Sequence, residues 1–513
     1  MLKRRGALLS TAALSLALGL GFGPVSAEPL SDAIALAYQT NPTLQAQRAQ
    51  QRALDETFVQ ARTALRPTVD ATASVTYQRD DAPDFAGVDL NDDGDFDDMF
   101  EQPPNSNITE AEVGSVGLSL SQTLYSGGRI SHGIRAARSA VLRGRENLRD
   151  IEQQVLSNVI QAYMDVRRDI EILRIRSENI GVLQRQLEEA SARFEVGEIT
   201  RTDVAQAEAR LAQARSDLSN AQAQLTLSRA AYAATVGQTP TDLEPPPPLP
   251  NLPSEFEQAL DTALEFNPNL GAAVFNQDVA EANVARARAA YRPSVSLSST
   301  YGSSDDLDGF DLTQQNSLNA RVGVSVPLFT GGLNRSQVAE ALEQANAAQA
   351  QVEGARRDVL RSVSSAYAQV TSSTAQLEAS REQVRAARIA AEGVRQEAQV
   401  GLRTTLDVLN QELELRNAEV NLASAERNQY VAQALLLAAM GRLSGRDLAV
   451  DAPIYDPSAN FDRVRNRGGL PWDPVVEAID RIGAPPVRET PDQPDAPVDA
   501  ALKPSEIVRT APQ

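Results

Sequence analysis

The chain of 513 residues has no cysteine, one histidine, one tryptophan and only 4% aromatic residues. Without cysteine it makes no disulfide even in an oxidising compartment, and it offers no N-terminal cysteine for a lipid anchor. With His132 as the sole histidine, no His-based triad or zinc cluster can be assembled. Neither a phosphate loop nor paired catalytic carboxylates appear, so no enzyme and no cofactor is expected, and His132 itself is expected on a helix surface. A formal charge of −20 argues against nucleic-acid binding, which needs a basic face. Beyond the N-terminus no apolar run approaches the ~18 residues of a spanning helix. The richest stretch, Val431 to Met440, is about half that length and contains Gln433. Scarce aromatics fit helices packed through small residues rather than a bulky globular core.

Proline is also missing where it matters. None lies between Pro104 and Pro240, or between Pro327 and Pro453. Proline costs about 3 kcal/mol inside a helix, so these runs, rich in Ala, Leu, Gln, Glu and Arg, read as very long helices. They are also copies of each other. Ala162-Tyr163 recurs as Ala366-Tyr367, Val196-Gly197 as Val400-Gly401 and Asp203-Val204 as Asp407-Val408, all at an offset of 204. Each copy is broken once, at Val196-Gly197-Glu198 and Val400-Gly401-Leu402, where glycine permits the left-handed turn that closes a helix. Each is therefore a helical hairpin, with one arm of about 65 residues reaching roughly 100 Å and a returning arm of about 35. In the returning arms Val204, Leu211, Leu218, Leu225 and Tyr232 recur every seven residues, with Ala207, Ala214, Ala221 and Ser228 three further on. Val408, Leu415, Leu422 and Leu436, with Ala418, Ala425 and Ala432, repeat the seam. This is a coiled-coil packing stripe with small residues that let helices approach closely.

Met1 to Arg5 is basic, Ala7 to Leu20 apolar, and Val25-Ser26-Ala27 resembles a leader-cleavage site, so the mature chain is expected to begin at Glu28. Leu30 to Leu65 is helical in pattern and stops before Arg66-Pro67. Asn41-Pro42 and Arg66-Pro67 recur as Asn267-Pro268 and Arg292-Pro293 at an offset of 226. The first copy thus carries extra residues, which fall between Arg79 and Glu112.

After each Arg-Pro the period changes to two. Val69, Ala71, Ala73, Val75 and Tyr77 alternate with polar residues, as do Val116, Leu118, Leu120 and Leu124. Val295, Leu297 and Tyr301, then Ala320, Val322, Val324 and Val326, do the same in the second copy. Four strands of about 8–11 residues, apolar on one face, match membrane-barrel strands. Alternation alone equally suits a half-buried hairpin in a soluble domain, but the flanking helices lead away and leave the apolar faces uncovered. Four strands cannot close a barrel, and an open sheet in lipid leaves unpaired edges. The barrel must be shared, as a dimer of eight strands or a trimer of twelve.

The order of parts gives these expected divisions: 1–27 leader, 28–238 first repeat, 239–255 Pro-rich extended spacer, 256–443 second repeat, and 444–513 a C-terminal segment. Within the last, 451–454 and 472–482 are expected outside the tube, and 483–513 is expected to lack order.

The duplicated helix–strand–strand–helix plan resembles the TolC family of outer-membrane channels from Leu30 to Leu443. The resemblance rests on Asn41-Pro42 and Asn267-Pro268, on the junctions Leu124-Tyr125-Ser126-Gly127-Gly128 and Leu328-Phe329-Thr330-Gly331-Gly332, and on the tips Val196-Gly197-Glu198-Ile199-Thr200 and Val400-Gly401-Leu402-Arg403-Thr404. It implies a mixed α/β membrane protein, mainly α: a long antiparallel coiled-coil tunnel below a homotrimer-shared twelve-stranded transmembrane β-barrel. It implies as partners a periplasmic adaptor (membrane fusion protein) and an inner-membrane ABC or proton-driven transporter, with the barrel in the outer membrane. The expected function is a passive exit duct, with type I protein secretion first and multidrug efflux as the alternative. A non-channel coiled-coil spacer or adaptor is the rival.

By the same resemblance Arg403 pairs with Asp203 of a neighbouring subunit, beside Thr202, to hold the entrance shut. Asp407 would ring the narrowest point, where symmetry-related carboxylates concentrate negative potential. A second family aspartate is Asn410 here, and a locking aromatic is Ala398. The plainer reading of Arg403 and Asp407 is an i, i+4 surface pair. Val196, Gly197, Val400 and Gly401 would dock the adaptor, or be simple turns. In the insertion, Asp89, Asn91, Asp93 and Asp95 have the start of a calcium loop, but its twelfth position is Phe100, so a solvated external loop is the competing reading.

Overall fold

A computed structural model describes residues 28–83, 106–306, 316–448 and 453–487. The first repeat runs α1 (Leu30–Thr40), α2 (Pro42–Thr63), β1 (Thr68–Pro83), β2 (Ser106–Tyr125), α3 (Arg129–Glu195) and α4 (Arg201–Val236). The second runs α5 (Phe256–Phe266), α6 (Pro268–Ala289), β3 (Ser294–Asp306), β4 (Asn316–Ser325), α7 (Leu333–Gln399) and α8 (Thr405–Ala439). Three short helices follow: α9 (Gly445–Leu448), α10 (Pro457–Val464) and α11 (Asp473–Arg481).

The long arms α3 and α7 have 67 residues each and pack along α4 and α8. The predicted seam is the packed one: Ala207, Leu211, Ala214, Ala221, Leu225, Ser228 and Tyr232 are buried, as are Val408, Leu415, Ala418, Ala425, Ala432 and Leu436. No described helix is long and apolar enough to cross a membrane.

The helix expected over Leu30–Leu65 is two. Pro42 ends α1 and starts α2, and Asn41 makes the break structural: its Oδ1 accepts from the Thr43 and Leu44 amides, and its Nδ2 donates to Thr235 O at 3.2 Å. Asn267 repeats this, accepting from Asn269 and Leu270 and donating to Ala439 O at 2.9 Å. Each Asn-Pro thus caps one helix and ties it to the end of the returning arm. The Pro-rich stretch is also more than a spacer. Leu243 and Leu249 are buried in the main core, and the Tyr430 hydroxyl donates to Pro247 O at 3.0 Å.

The sheet is a four-stranded antiparallel meander, β1-β2-β3-β4. Its register places Ala71, Leu118, Tyr301 and Leu318 in one row, and Val69 and Leu120 in the next. The apolar faces of all four strands therefore coincide. They are uncovered: Val69, Val75, Leu318, Val322 and Val324 are each more than 60% exposed. The strands have 16, 20, 13 and 10 residues, longer than expected in all but β4 and most of all in the first hairpin. There the apolar alternation ends near Tyr77, but backbone pairing continues through charged residues, with Arg79 and Glu110 3.3 Å apart. Backbone pairing in water needs no apolar face, which is why side-chain alternation underestimated the length.

α11 packs on β2 and α3 at the junction of strands and helices. The buried Asp480 carboxylate accepts from Ser126 N (2.6 Å), Ser126 Oγ (2.7 Å), Ser131 N (3.0 Å) and Ser131 Oγ (2.7 Å), capping α3 from a distant part of the chain. Arg66 bonds Asp473 at 2.9 Å and Arg467 O at 2.8 Å. His132 is buried under Ala484 and the Pro485 backbone, not on a helix surface as expected. Burial lowers its pKa, as desolvation disfavours the charged form.

Candidate functional site at the hairpin tips

Both tips turn through a left-handed glycine, Gly197 at φ 81° and Gly401 at φ 79°. The chain closes each helix with paired amide bonds, Gly197 N to Phe194 O and Glu198 N to Arg193 O, then Gly401 N to Ala398 O and Leu402 N to Glu397 O. Val196, Val400 and Leu402 are left more than 70% exposed at the end of the hairpins. Neither Gly197 nor Gly401 has anything within 4 Å of where a Cβ would lie, so backbone conformation, not crowding, calls for glycine.

The next helix starts on a reciprocal cap. The Thr200 amide and hydroxyl donate to Asp203 Oδ2 at 2.9 and 2.8 Å. Thr404 does the same for Asp407 Oδ2 at 3.0 and 2.8 Å, and the Asp407 amide donates back to Thr404 Oγ1. These bonds lower both carboxyl pKa values, through the Thr200 hydroxyl first for Asp203 and the Thr404 amide first for Asp407. The signal for this was present in the sequence as Thr-x-x-Asp at both tips.

Arg403 makes its direct ion pair elsewhere than to its i, i+4 neighbour Asp407, although its charge helps to lower the Asp407 pKa. Its Nε donates to Glu397 Oε2 at 2.8 Å across the turn. The first tip makes the same link with charges exchanged, Arg193 to Glu198 at 3.0 Å. Within one chain no bond brings Arg403 and Asp203 together, and Thr202 is exposed beside Asp203. Asn410 is engaged: Arg210 Nη2 donates to its Oδ1 at 3.0 Å, joining α4 to α8. Beside it Leu409 is buried against Leu183, Ala207 and Leu211. Ala398 lines an open cavity of about 410 Å³ with Gln186, Arg193, Arg395 and Val408. Near it, sequence reading missed the buried Glu412, which bonds Arg395 across the hairpin and lies 3.7 Å from Arg416. Asp89, Asn91, Asp93 and Asp95 lie outside the described residues, and among those described no group of three or more acidic or histidine side chains could hold a metal.

The tips therefore carry exposed apolar ends, paired arginines and carboxylates that stay ionised, and none of this arranges a nucleophile or general acid. Comparisons with known proteins fit that picture. The family model described as outer membrane efflux protein matches residues 33–238 and 259–442. Outer membrane efflux protein BepC of Brucella suis is 32% identical over 342 residues, covering 67% of this chain and 70% of that protein. Outer membrane protein TolC of Vibrio cholerae is 29% identical over 68% of this chain and 76% of its own. The open state of the Neisseria gonorrhoeae MtrE outer membrane channel shares the fold with a TM-score of 0.67 at 23% identity, over 83% of this chain and 91% of that one. The chain belongs to the outer membrane efflux protein family, the TolC-type channels of the Gram-negative outer membrane.

Proposed function

We propose that three copies of this chain assemble an exit duct, in which twelve strands close a lipid-embedded barrel and six hairpins form the tunnel wall. The duct passively carries cargo handed over by a periplasmic adaptor and an inner-membrane transporter. The observation that carries this is the sheet: among the described residues it has one continuous apolar face without a covering element, and two outer strands, β1 and β4, each with a free edge. Such edges in hydrocarbon cost several kcal/mol per unpaired group, and pairing β4 of one copy with β1 of the next removes both.

The repeat supports the same assembly. At the first junction a Cβ on Gly127 would meet Arg292 Cβ at 2.5 Å. At the equivalent Gly331 nothing lies within 4 Å, and Leu328 and Phe329 are 92% and 91% exposed. Arg66 is the first-repeat counterpart of Arg292, so the turn around Arg66 of a neighbouring copy is the element that covers Phe329.

Type I protein secretion is the first expectation from the sequence. Small-molecule efflux is favoured by the relatives' descriptions, which include the efflux protein BepC and the toluene efflux pump outer membrane protein TtgF of Pseudomonas putida, 27% identical over 43% of this chain. Deleting the gene separates them. A secretion duct leaves secreted proteins missing from the medium with drug tolerance intact, an efflux duct raises drug and solvent sensitivity with the secreted proteome intact, and no change in either sinks both.

For the entrance, Arg403→Ser is expected to raise single-channel conductance in planar bilayers severalfold, because it frees the tip from Glu397 and removes the partner offered to Asp203 of the next subunit. Asp407→Glu keeps the cap and the charge and should keep cation preference. Asp407→Asn keeps an acceptor oxygen for Thr404 but should lose that preference. Equal selectivity in the two variants would assign Asp407 to capping alone, and unchanged conductance would remove Arg403 from the lock.

A further inference from the structure

Glu28 is held more thoroughly than its place ahead of α1 requires. It is 7% exposed. Its Oε1 accepts from the Tyr232 hydroxyl at 2.6 Å and Gln238 Nε2 at 2.9 Å, and its Oε2 from the Thr241 hydroxyl at 3.1 Å and the Thr241 amide at 3.4 Å. Its backbone nitrogen donates to Asp242 O at 2.6 Å, and its carbonyl accepts from Glu244 N at 3.2 Å and lies 2.8 Å from the Tyr163 hydroxyl. Every partner of the carboxylate is neutral. A buried carboxylate without a cation is costly, and among the described residues no cationic side chain bonds this one.

The second repeat shows that the pocket is not a requirement of the fold. Ser254 is the counterpart of Glu28, and Tyr367, the counterpart of Tyr163, donates to Ser254 O at 3.2 Å. There the resemblance stops: Ser254 is exposed, and Tyr232 is replaced by Leu436. The second repeat is entered by continuous chain from the Pro-rich stretch, whereas the first is entered at the residue that follows the leader. Hydroxyl and amide donors gather only around the latter.

We propose that this pocket receives the chain terminus made by cleavage between Ala27 and Glu28, and that the new α-ammonium supplies the positive charge the carboxylate lacks. Hydrolysis of that amide consumes one water, whose hydroxyl goes to the Ala27 carbonyl carbon and whose proton goes to the Glu28 nitrogen. A further proton from solvent gives the ammonium, since an α-amino group with pKa about 7.7–8.0 is mostly charged at neutral pH. The docked terminus ties the C-terminal end of α4 and the 239–255 stretch to the middle of α3. Maturation is then part of building the tunnel. This rests on the leader reading and not on the conducting role of the assembled duct.

The sequence makes the test clean, because its only lysines are Lys3 and Lys503. Once the leader is gone, the protein has two amines, the Glu28 terminus and Lys503. Wild-type protein extracted from outer membranes is acylated near neutral pH with an amine-reactive ester, and the products are mapped by mass spectrometry. The expected N-terminal peptide starts at Glu28 and reacts at least ~100-fold more slowly in the folded protein than after denaturation, as a terminus that must first open would. Lys503 reports that the reagent is active. Glu28→Ala should raise labelling of the terminus towards its denatured rate, and inserting Ser-Gly between Ala27 and Glu28 should do the same while lowering the melting temperature. A terminus at any other residue, or a Glu28 amine acylated equally fast folded and unfolded, would overturn the proposal. Neither outcome depends on conductance or cargo.

Discussion

Leu118→Arg is expected to abolish the heat-resistant oligomer in detergent extracts of outer membranes, while Ser119→Arg, one residue along the same strand, leaves it assembled. Leu118 lies in mid-sheet between Ala71 and Tyr301 on the apolar face and is half exposed, with no described element above it. An arginine near the bilayer midplane costs about 2–4 kcal/mol on the lipid face of a barrel, and a shared barrel incurs that cost once per copy. Ser119 lies between Asp70 and Thr300 on the opposite, polar face. A charge there meets water in the duct and should change conductance instead. Because side chains alternate with period two, neighbouring residues test opposite faces of one strand. A soluble coiled-coil spacer would make no such distinction, so two variants with equal oligomer yields would refute the lipid-facing assignment.

Much of this architecture was legible because the repeat writes it twice. The hairpins followed from absent proline and from the tip glycines, and the sheet faces followed from alternation, which Val69, Leu120 and Tyr301 bear out by register. What escaped was set by contacts distant in sequence. Nothing local to His132 says that residues 484–485 will cover it, and nothing local to Ser126 or Ser131 says that Asp480, roughly 350 residues later, will cap them. Asp203 and Asp407 were legible differently: the Thr-x-x-Asp spacing at each tip predicts a cap from local chemistry, whereas the gate role came only from resemblance. The Glu28 pocket was invisible for the same reason as Asp480, since Tyr232, Gln238 and Thr241 reach it from the far end of the repeat.

Asp480→Ala is expected to lower the melting temperature of the extracted protein substantially and to free α11 for tryptic cleavage at Arg481. The carboxylate satisfies two amides and two hydroxyls at the first strand-to-helix junction. It also sits at the positive end of the 67-residue α3. Removing it leaves buried donors unmatched, a loss of roughly 3 kcal/mol. Burial alone would raise the Asp480 pKa, but the bonds from Ser131 and Ser126 outweigh it and the net shift is downward from 3.8. A folded pKa below the unfolded one means that the contribution is whole above the unfolded value and is lost as pH falls through the folded one. Wild-type protein should therefore hold α11 in mildly acidic buffer and release it only in stronger acid, whereas the variant is already released at neutral pH. The counterparts of Ser126 and Ser131 at the second junction are Thr330 and Arg335, and among the described residues no carboxylate bonds either. In the proposed ring the C-terminal segment thus braces alternate junctions, and the variant should loosen those and leave the junctions at Phe329 unchanged. An unchanged melting curve together with unchanged cleavage at Arg481 would mean that α11 is held by Arg66 and Asp473 instead.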